Sequence, residues 1–469
     1  MLVRFSLTLL AAVALQAQTP CADLTSIRIA DLILEEANTQ PAKAPFPEHC
    51  LVHGIIEKRT GVGGRTYGMR FELRLPANWQ GRFLFQGGGG MDGIVRPAYG
   101  PASGADATPG LARGFAVVST DAGHSGAPND PSFSRDQQAR IDNAYRSIDR
   151  VTAVAKLMIA SYYGRPASRS YFDGCSNGGR QGLIAMQRLP LLFDGIVSGA
   201  PAFRVTHAAI DSAWATIHLM KIAPKDESGK PILSKAFTDA DLKLVAQAVL
   251  EQCDALDGTK DGLVFSPCHY DPATLTCKAA KSSTCLSSAQ VDALKKIMAG
   301  PVNSQGKPLY SDWPYDPGIA SPGWRMLKLG TSPTSESNAA NITLMLRGLT
   351  GYFMTPFDAA FDPMKFDFDK DPAKVEETAA LQDAEMTQVS SFLQHKGKLL
   401  LYHGMADPFF SALDTQRYHE RLTQGSTDWA RLFLVPGVSR PLCSFPQIPR
   451  YKGTGSTDDA ANFACEASR

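Results

Sequence analysis

The stretch DGCSNGG, residues 173–179, places a serine in the pattern Gly-x-Ser-x-Gly. In α/β folds this pattern forms a sharp turn between a strand and a helix, and the turn lifts a nucleophilic serine above the sheet. The strand-like SYFDG before the turn and the helical GGRQGLIAMQRL after it match that context. We therefore predict that Ser176 is a nucleophile; the alternative is a glycine-rich turn without chemistry.

Strand-like and helical runs alternate on both sides of this turn. Such alternation predicts a fold of the α/β class, here an α/β-hydrolase core in which helices cover both faces of a mostly parallel sheet. Helical spacing is seen over 143–163 and about 412–422, and the strand candidates are RFLFQ (82–86), GFAVVSTDAG (114–123), FDGIVSGAPA (193–202), KGKLLLYHGMADPFF (396–410) and ARLFLVPG (430–437).

The alternation is interrupted between residues 203 and 395. This segment has few strand signals and many Pro, Ser and Thr residues, and it is too long for a structureless loop in a compact domain. We predict an inserted lid domain at 203–395, with the hydrolase core formed by residues 18–202 and 396–469.

The composition limits the partners and the compartment. Lys and Arg number 47 against 46 Asp and Glu, so we expect no nucleic-acid partner and no membrane partner. Residues 1–17 contain one Arg, a short apolar run and then small residues. This is typical of a cleaved signal peptide rather than a membrane span, with a free N-terminal helix as the alternative. We expect a secreted or periplasmic protein; the sequence does not determine its oligomeric state.

The chain has nine cysteines, and export makes disulfides expected. Pairing cysteines that are near in sequence is the simplest of many arrangements. It leaves Cys175, the neighbour of the predicted nucleophile, unpaired. The predicted pairs are Cys21–Cys50, Cys253–Cys268, Cys277–Cys285 and Cys443–Cys465.

An α/β-hydrolase site needs a nucleophile, an acid and a histidine in that chain order. Asp407 follows the strand-like LLLYHG, and such folds place catalytic groups after strand ends. It could instead cap the next helix. An oxyanion hole needs two N–H donors. One should come from Asn177 and the other from the run around Gly89-Gly90, where glycine lets the backbone approach a substrate; a plain turn is the alternative.

The histidine is the difficulty. Only His419 of the nine histidines follows Asp407, and it lies in the charged helical stretch LDTQRYHERL, where a surface position is the default. The loop after LFLVPG, where the histidine is expected, reads Val438-Ser439-Arg440. We predict that His403 and Phe410 line the site against an aromatic acyl group, with packing alone as the alternative.

A second candidate site is the loop CDALDGTKDGLV, residues 253–264. Its three aspartates, Asp254, Asp257 and Asp261, offer hard oxygen ligands of the kind Ca²⁺ prefers, and the carbonyls of Thr259 and Leu263 could complete the shell. The spacing is not that of an EF-hand, and an aspartate-rich turn without metal is the alternative. A Ca²⁺ ion here would stabilise the lid rather than take part in catalysis.

The motifs GCSNGG, HGMADPF, CDALDGTKDGLV and LFLVPG together resemble the tannase and feruloyl esterase family of secreted α/β-hydrolases, in particular its mono(2-hydroxyethyl) terephthalate hydrolase branch. The likeness runs from about Cys21 to Arg469. It implies an ester hydrolase that acts on small aromatic carboxylic esters through an acyl-enzyme, with a lid over the substrate. The implied roles are nucleophile for Ser176, triad acid for Asp407, oxyanion amides for Gly90 and Asn177, substrate contact at Gly89, and Ca²⁺ ligation by Asp254, Asp257, Thr259, Asp261 and Leu263.

The family also implies a disulfide from the cysteine of the serine turn to a cysteine that follows the catalytic histidine. In this chain the sequence passes from Gly437 to a tail beginning at Arg440, without that histidine or that cysteine. One deletion would account for both the missing base and an unpaired Cys175. We therefore predict a weakly active or inactive, less stable esterase, or a pseudo-esterase that binds aromatic ligands without turnover. Leu327 stands where the terephthalate branch has a tryptophan, which disfavours a dedicated terephthalate monoesterase.

Overall fold

The computed structural model describes residues 19–100, 108–127, 129–265, 268–358 and 360–439. The predicted signal peptide and the predicted Cys443–Cys465 disulfide lie outside these residues. Over the described ranges, no helix has both the length and the apolar character that crossing a bilayer requires.

The described residues form one nine-stranded sheet. Its strands are β1 (Leu32–Gln40), β2 (His49–Thr60), β3 (Thr66–Pro76), β4 (Arg82–Gln86), β5 (Phe115–Thr120), β6 (Arg169–Cys175), β7 (Gly195–Gly199), β8 (Lys398–Gly404) and β9 (Ala430–Val435). They lie in the order β1-β2-β3-β5-β4-β6-β7-β8-β9. In this order, β1, β2, β3 and β5 pair antiparallel with their neighbours in turn. Every neighbouring pair from β5 through β4 to β9 is parallel. The predicted α/β class is confirmed.

Helices connect the parallel strands and supply α4 to α9 of the segment between β7 and β8. They are α1 (Gln137–Ile141), α2 (Ser147–Tyr163), α3 (Asn177–Arg188), α4 (Val205–Ile222), α5 (Asp239–Cys253), α6 (Ser288–Ala299), α7 (Pro322–Lys328), α8 (Glu376–Gln382), α9 (Ser390–Gln394) and α10 (Ala412–Thr423). Helix α2 forms because its apolar residues recur on one face, and it ends at Gly164, whose positive φ suits a helix C-terminus.

Two large apolar cores and one small cluster hold the described chain together. One lies against the sheet and joins side chains of α2, α3 and α10, among them Met158, Leu183 and Tyr418, to strand residues such as Phe172. Burying a large apolar side chain of this kind contributes roughly 1.5–3 kcal/mol. The parallel half of the sheet is therefore held rigidly below the loops that follow its strands.

The second core lies mainly in the segment between β7 and β8, residues 200–397, which we call the insert. The insert contains α4 to α9, and its described residues add no strand to the sheet. Phe409 and Phe410, which follow β8, also belong to this core, so the insert packs against the edge of the sheet where the parallel strands end. That the insert acts as a lid over a substrate remains a prediction.

Three disulfides join the cysteines that the sequence pairs: Cys21–Cys50, Cys253–Cys268 and Cys277–Cys285. Cys175 is also disulfide-bonded, so the prediction that it is unpaired is wrong. The three disulfides above take up the other six cysteines of the described residues, so none of those six is its partner. Closeness along the chain was the criterion for the prediction, whereas a disulfide needs Cα atoms within about 7 Å, and the fold decides which cysteines meet that condition.

Candidate active site

Ser176 occupies a strained turn at the carboxyl end of β6. Its backbone has φ 66° and ψ −123°, a left-handed conformation that a residue with a side chain rarely adopts. The Ser176 amide donates to the carbonyl of Gly199 at 2.9 Å, and the Ser176 carbonyl accepts from Arg180 and Ala202 at 3.1 and 3.0 Å. The strand-turn-helix context predicted for the nucleophile is therefore present, and it supports that role for Ser176.

The glycine run after β4 packs directly on this turn. A Cβ at Gly178 would lie 2.8 Å from the carbonyl oxygen of Gly88, and one at Gly87 would lie 3.0 Å from the Cα atoms of Gly174 and Gly178. Only glycine permits this approach of two backbones. The loop that carries the Gly90 amide and the helix that begins with Asn177 are thus neighbours, as an oxyanion hole requires.

A buried polar network, which the sequence analysis missed, joins these two segments. Asp92, just past the glycine run, accepts hydrogen bonds from the side chains of Asn177 and Gln181, and Gln181 accepts from the Gly88 amide at 2.9 Å. Burial raises the pKa of Asp92 to about 6. The sequence does contain a signal for this network. Asp92 follows the four glycines by two residues, and the polar residues Asn177 and Gln181 are spaced four apart at the start of α3, on one face of the helix.

Asp407 lies in the loop between β8 and α10 and is buried. Its Oδ1 accepts from the amides of Phe409 and Phe410 at 2.8 and 3.3 Å. Because β6 and β8 are both parallel strands of one sheet, the loops that carry Ser176 and Asp407 leave the same edge. The Asp407 carboxylate is therefore held by its own turn, at the carboxyl ends of the parallel strands, where α/β folds place catalytic groups.

His403 and Phe410 are both buried, with exposed fractions of 0% and 4%. The His403 ring bonds to Thr415 Oγ1 at 2.8 Å through Nδ1 and lies 3.1 Å from the Phe410 carbonyl and 3.4 Å from Asp407 Oδ2 through Nε2. The imidazole is thus packed between β8 and α10. This placement favours the packing alternative over direct substrate contact for His403.

The family follows from comparison with known proteins. The sequence profile described as tannase and feruloyl esterase matches residues 54–440. The chain belongs to the tannase and feruloyl esterase family. A mono(2-hydroxyethyl) terephthalate hydrolase from Piscinibacter sakaiensis is 40% identical, with 92% of this chain and 87% of that protein covered. A probable feruloyl esterase B-2 from Aspergillus flavus is 29% identical, with coverage of 78% and 67%.

Solved structures agree on the fold. The crystal structure of feruloyl esterase B from Aspergillus oryzae matches this tannase-family chain with a TM-score of 0.74 at 24% identity, covering 95% of this chain and 90% of that one. A tannin acyl hydrolase from Aspergillus niger matches with a TM-score of 0.67 at 19% identity, covering 91% and 83%. The family and the esterases among its relatives identify this chain, by resemblance, as a carboxylic ester hydrolase, as predicted.

His419, the histidine that follows Asp407 in this tannase-family chain, lies at the wrong edge of the sheet. Its Nε2 is 3.4 Å from the carbonyl of Ala430, the first residue of β9. The parallel strands end at the opposite edge, at Val435 in β9 and before Ser176 in β6. With about 3.3 Å per strand residue, His419 is separated from that edge by roughly 17 Å. It does not complete a triad with Asp407.

The loop after β9 is where a tannase-family triad would carry its histidine. Here the Val438 carbonyl accepts from the Ala406 amide at 3.0 Å, and the Gly437 amide donates to the buried Asp316 of the insert at 3.0 Å. The loop therefore lies beside Asp407, and its described residues up to Ser439 include no side chain that can act as a base.

The alignment with the terephthalate monoester hydrolase also contains gaps. It extends over 525 positions, more than the 469 residues of this chain, so that relative has residues without a counterpart here. A deleted segment is consistent with this excess.

The predicted Ca²⁺ loop has the right donor chemistry. Asp254 accepts from the amides of Asp261 and Gly262, and Asp257 accepts from the amide of Thr259 at 2.9 Å. In the described residues, the only trio of His, Cys, Asp or Glu ligand atoms within 4.8 Å of one another lies elsewhere. The three carboxylates of the loop therefore do not converge in this arrangement, and Ca²⁺ binding stays a prediction.

That trio is His207, Asp383 and Glu385, in the insert. His207 Nδ1 lies 3.1 Å from Asp383, and the Arg204 guanidinium lies 3.0 Å from Glu385. Hydrogen bonding to Asp383 helps to raise the pKa of His207 despite its burial. Arg204 already supplies a positive charge at this cluster, so it is an ion-pair network rather than a metal centre.

Proposed function

We propose that this chain is an exported esterase whose site is built for acyl transfer from small aromatic carboxylic esters. The observation that carries the proposal is the contact between the Ser176 turn and the Gly87–Gly90 loop, which supports a site made of a serine nucleophile and backbone amide donors. The ester class rests on relatives named for terephthalate and feruloyl esters. The disulfides support an oxidising compartment, either secreted or periplasmic.

In the proposed reaction, Ser176 Oγ attacks the ester carbonyl carbon and loses its proton to a base. The Gly90 and Asn177 amides hold the negative oxygen of the tetrahedral intermediate. The intermediate collapses, the alcohol leaves with a proton, and the acyl group stays on Ser176 as an ester. Water then attacks the acyl-enzyme, which releases the carboxylic acid and restores the serine. Asp407 would orient the base in both steps.

The identity of the base is the open part of this scheme. His403 is packed between Thr415 and the Phe410 carbonyl, and His419 lies at the start of β9, so neither histidine has the placement of a triad base. Without a triad histidine the rate of acyl transfer would fall by orders of magnitude. This observation favours the second candidate, a pseudo-esterase that binds aromatic esters or acids without turnover. Both candidates would use the same site around Ser176.

The two candidates differ in one measurement. Hydrolysis of methyl gallate or methyl ferulate by the purified chain, abolished by Ser176→Ala, would establish the esterase and overturn the prediction of inactivity. Saturable binding of the same ester without release of acid would establish the pseudo-esterase. Failure of both tests would refute the proposed substrate class.

We also propose a structural Ca²⁺ ion in the loop 253–264 of the insert. Three aspartates and two backbone carbonyls form an oxygen-only donor set, which suits Ca²⁺. The residues that would hold it are Asp254, Asp257, Thr259, Asp261 and Leu263. No step of the reaction is assigned to this ion.

A further inference from the structure

Asp92 and the α3 residues that contact it form a polar cluster that the acyl-transfer scheme does not use. The carboxylate of Asp92 is buried and accepts from Asn177 Nδ2 through Oδ1 and from Gln181 Nε2, at 2.7 Å, through Oδ2. The Asp92 amide donates to the Gly89 carbonyl at 3.1 Å, which closes the turn of the glycine loop. One residue thus contacts the glycine loop through its backbone and α3 through its side chain.

Gln181, which bonds to Asp92, also bonds back to the glycine loop. Gln181, bonded to Asp92 by its amide nitrogen, accepts from the Gly88 amide by its oxygen at 2.9 Å. A Cβ at Gly88 would meet the Asp92 carboxylate, so the carboxylate lies flat against the loop backbone. The result is a closed ring of hydrogen bonds through Gly88, Asp92 and Gln181, which fixes the loop relative to the first turn of α3.

A second connection runs from Asn177 into the interior. Asn177 Oδ1 accepts from Arg180 Nε at 2.7 Å, and the guanidinium of Arg180, which is fully buried, donates to the carbonyls of Ala144 and Gln382 at 3.1 and 3.2 Å. The Asn177 amide thus connects Asp92 to the buried Arg180, whose charge is balanced by Asp92 and by Asp383. Gln382 belongs to the insert, so the network reaches from the insert to the glycine loop.

We propose that Asp92 is a positioning residue that holds the Gly90 and Asn177 amides at the separation an oxyanion requires. This inference rests on the proposed function, because it concerns the oxyanion hole of the acyl-transfer site. Asp92 touches neither the substrate nor the reacting atoms; it acts through the backbone of the glycine loop and through the Asn177 side chain. Preorganised donors are worth most when their geometry is fixed before the reaction, which gives such a network its catalytic value.

The same arrangement makes the oxyanion hole sensitive to acid. Protonation of Asp92 removes acceptor capacity from a ring in which every oxygen contact is in use. The charged and titratable groups that face it are Arg96 on its own loop, Arg180 on α3 and Tyr352 of the insert. The two arginines favour the ionised carboxylate, and burial opposes it. The donors are therefore held in place above the pKa of Asp92 and released below it.

The test compares Asp92→Asn with Asp142→Asn, a matched buried aspartate whose carboxylate bonds to Gln138 and Arg146 instead. The first measurement is amide hydrogen exchange followed by mass spectrometry, which needs no turnover. We expect faster exchange in peptides covering 86–93 and 176–182 for Asp92→Asn and unchanged exchange there for Asp142→Asn. Unchanged exchange in Asp92→Asn, or an equal change in both variants, would overturn the proposal.

The second measurement is the binding of an arylboronic acid, which forms a tetrahedral anionic adduct with a serine. We expect Asp92→Asn to weaken binding at least about tenfold, as loss of part of an oxyanion hole does, and Asp92→Glu to recover part of it. Wild-type binding should weaken below about pH 6, and this pH dependence should vanish in Asp92→Asn. If the boronic acid does not bind wild type, the acyl-transfer site itself is refuted, while the exchange measurement still decides the role of Asp92.

Discussion

The backbone carbonyl of Val438 accepts a hydrogen bond from the amide of Ala406 at 3.0 Å, one residue before Asp407. This bond holds the loop after β9, where the family resemblance implies a histidine, against the loop after β8 that carries Asp407. Asp407, the candidate acid, is buried and accepts from amides of its own turn, and Ser176, the candidate nucleophile, occupies a strained turn. His403 is packed against Thr415, and His419 lies at the start of β9.

A general base can be supplied to Ser176 from solution. We expect imidazole at tens of millimolar to raise the rate of p-nitrophenyl benzoate hydrolysis by roughly tenfold, because general-base assistance to a serine contributes about 10²–10⁴ when the base is positioned. The control is Ser176→Ala with the same imidazole concentration, which measures the direct reaction of imidazole with the ester. Equal rates for wild type and Ser176→Ala would show that Ser176 is not the nucleophile.

The contact between the glycine loop and the serine turn should not tolerate one extra carbon. In Gly178→Ala the new Cβ would lie 2.8 Å from the Gly88 carbonyl oxygen, which forces the loop away from the turn. We expect at least about a tenfold loss of arylboronic acid affinity, measured by titration calorimetry. Gly126→Ala is the matched control, because its nearest non-neighbouring heavy atom lies at 3.6 Å. Similar affinities in both variants would contradict the close-contact interpretation.

The burial of Asp316 beside the loop after β9 should make stability depend on pH. Burial raises the pKa of Asp316 to about 6, above the roughly 3.9 of an unfolded aspartate, so the native state binds the proton more tightly. The stability from this group is full below about pH 4 and is lost as the pH rises through about 6. Between pH 5 and pH 8 the free energy of unfolding should fall by about 1 kcal/mol more in wild type than in Asp316→Asn.

Denaturant unfolding at the two pH values measures this difference. Asp292→Asn, a change of an exposed aspartate in α6, serves as the control and should keep the wild-type pH dependence. The prediction is wrong if Asp316→Asn and Asp292→Asn show the same change between pH 5 and pH 8.

Calcium should stabilise the chain through the insert. We expect a chelator to lower the melting temperature by several degrees and added Ca²⁺ to restore it, since a ligand that binds only the folded state adds about 2.7 kcal/mol at a hundred times its dissociation constant. Asp261→Asn should remove most of this response. Asp226→Asn is the matched control, because Asp226 accepts amide hydrogen bonds in a similar turn outside the loop. If Ca²⁺ does not change the melting temperature, the loop 253–264 is an aspartate-rich turn without a metal.

Cys175 should resist alkylation. Nine cysteines cannot all pair, so at least one thiol per chain must stay free or pair between chains. Because Cys175 is disulfide-bonded, we expect iodoacetamide under denaturing, non-reducing conditions to leave it unlabelled, as it should leave Cys21 and Cys50. Peptide mapping by mass spectrometry checks this directly, and a labelled Cys175 would show that its thiol is free.

Local patterns predicted much of the parallel half of the fold. The runs 82–86, 114–123, 193–202 and 430–437 contain β4, β5, β7 and β9, because buried parallel strands are short, continuous apolar segments. The alternation did not predict the three antiparallel strands β1 to β3. Their pairing is decided by cross-strand contacts between distant residues, which no local period encodes.

The sequence by itself determined the α/β class, the family and the identity of Ser176 as the candidate nucleophile, because a Gly-x-Ser-x-Gly turn needs its glycines wherever it occurs. The tertiary structure decided which groups meet. It paired Cys175, buried His403 and Phe410, placed His419 at the far edge of the sheet, and assembled the ring around Asp92. Each of these depends on distances between residues far apart in the chain, and those distances exist only after the sheet has formed.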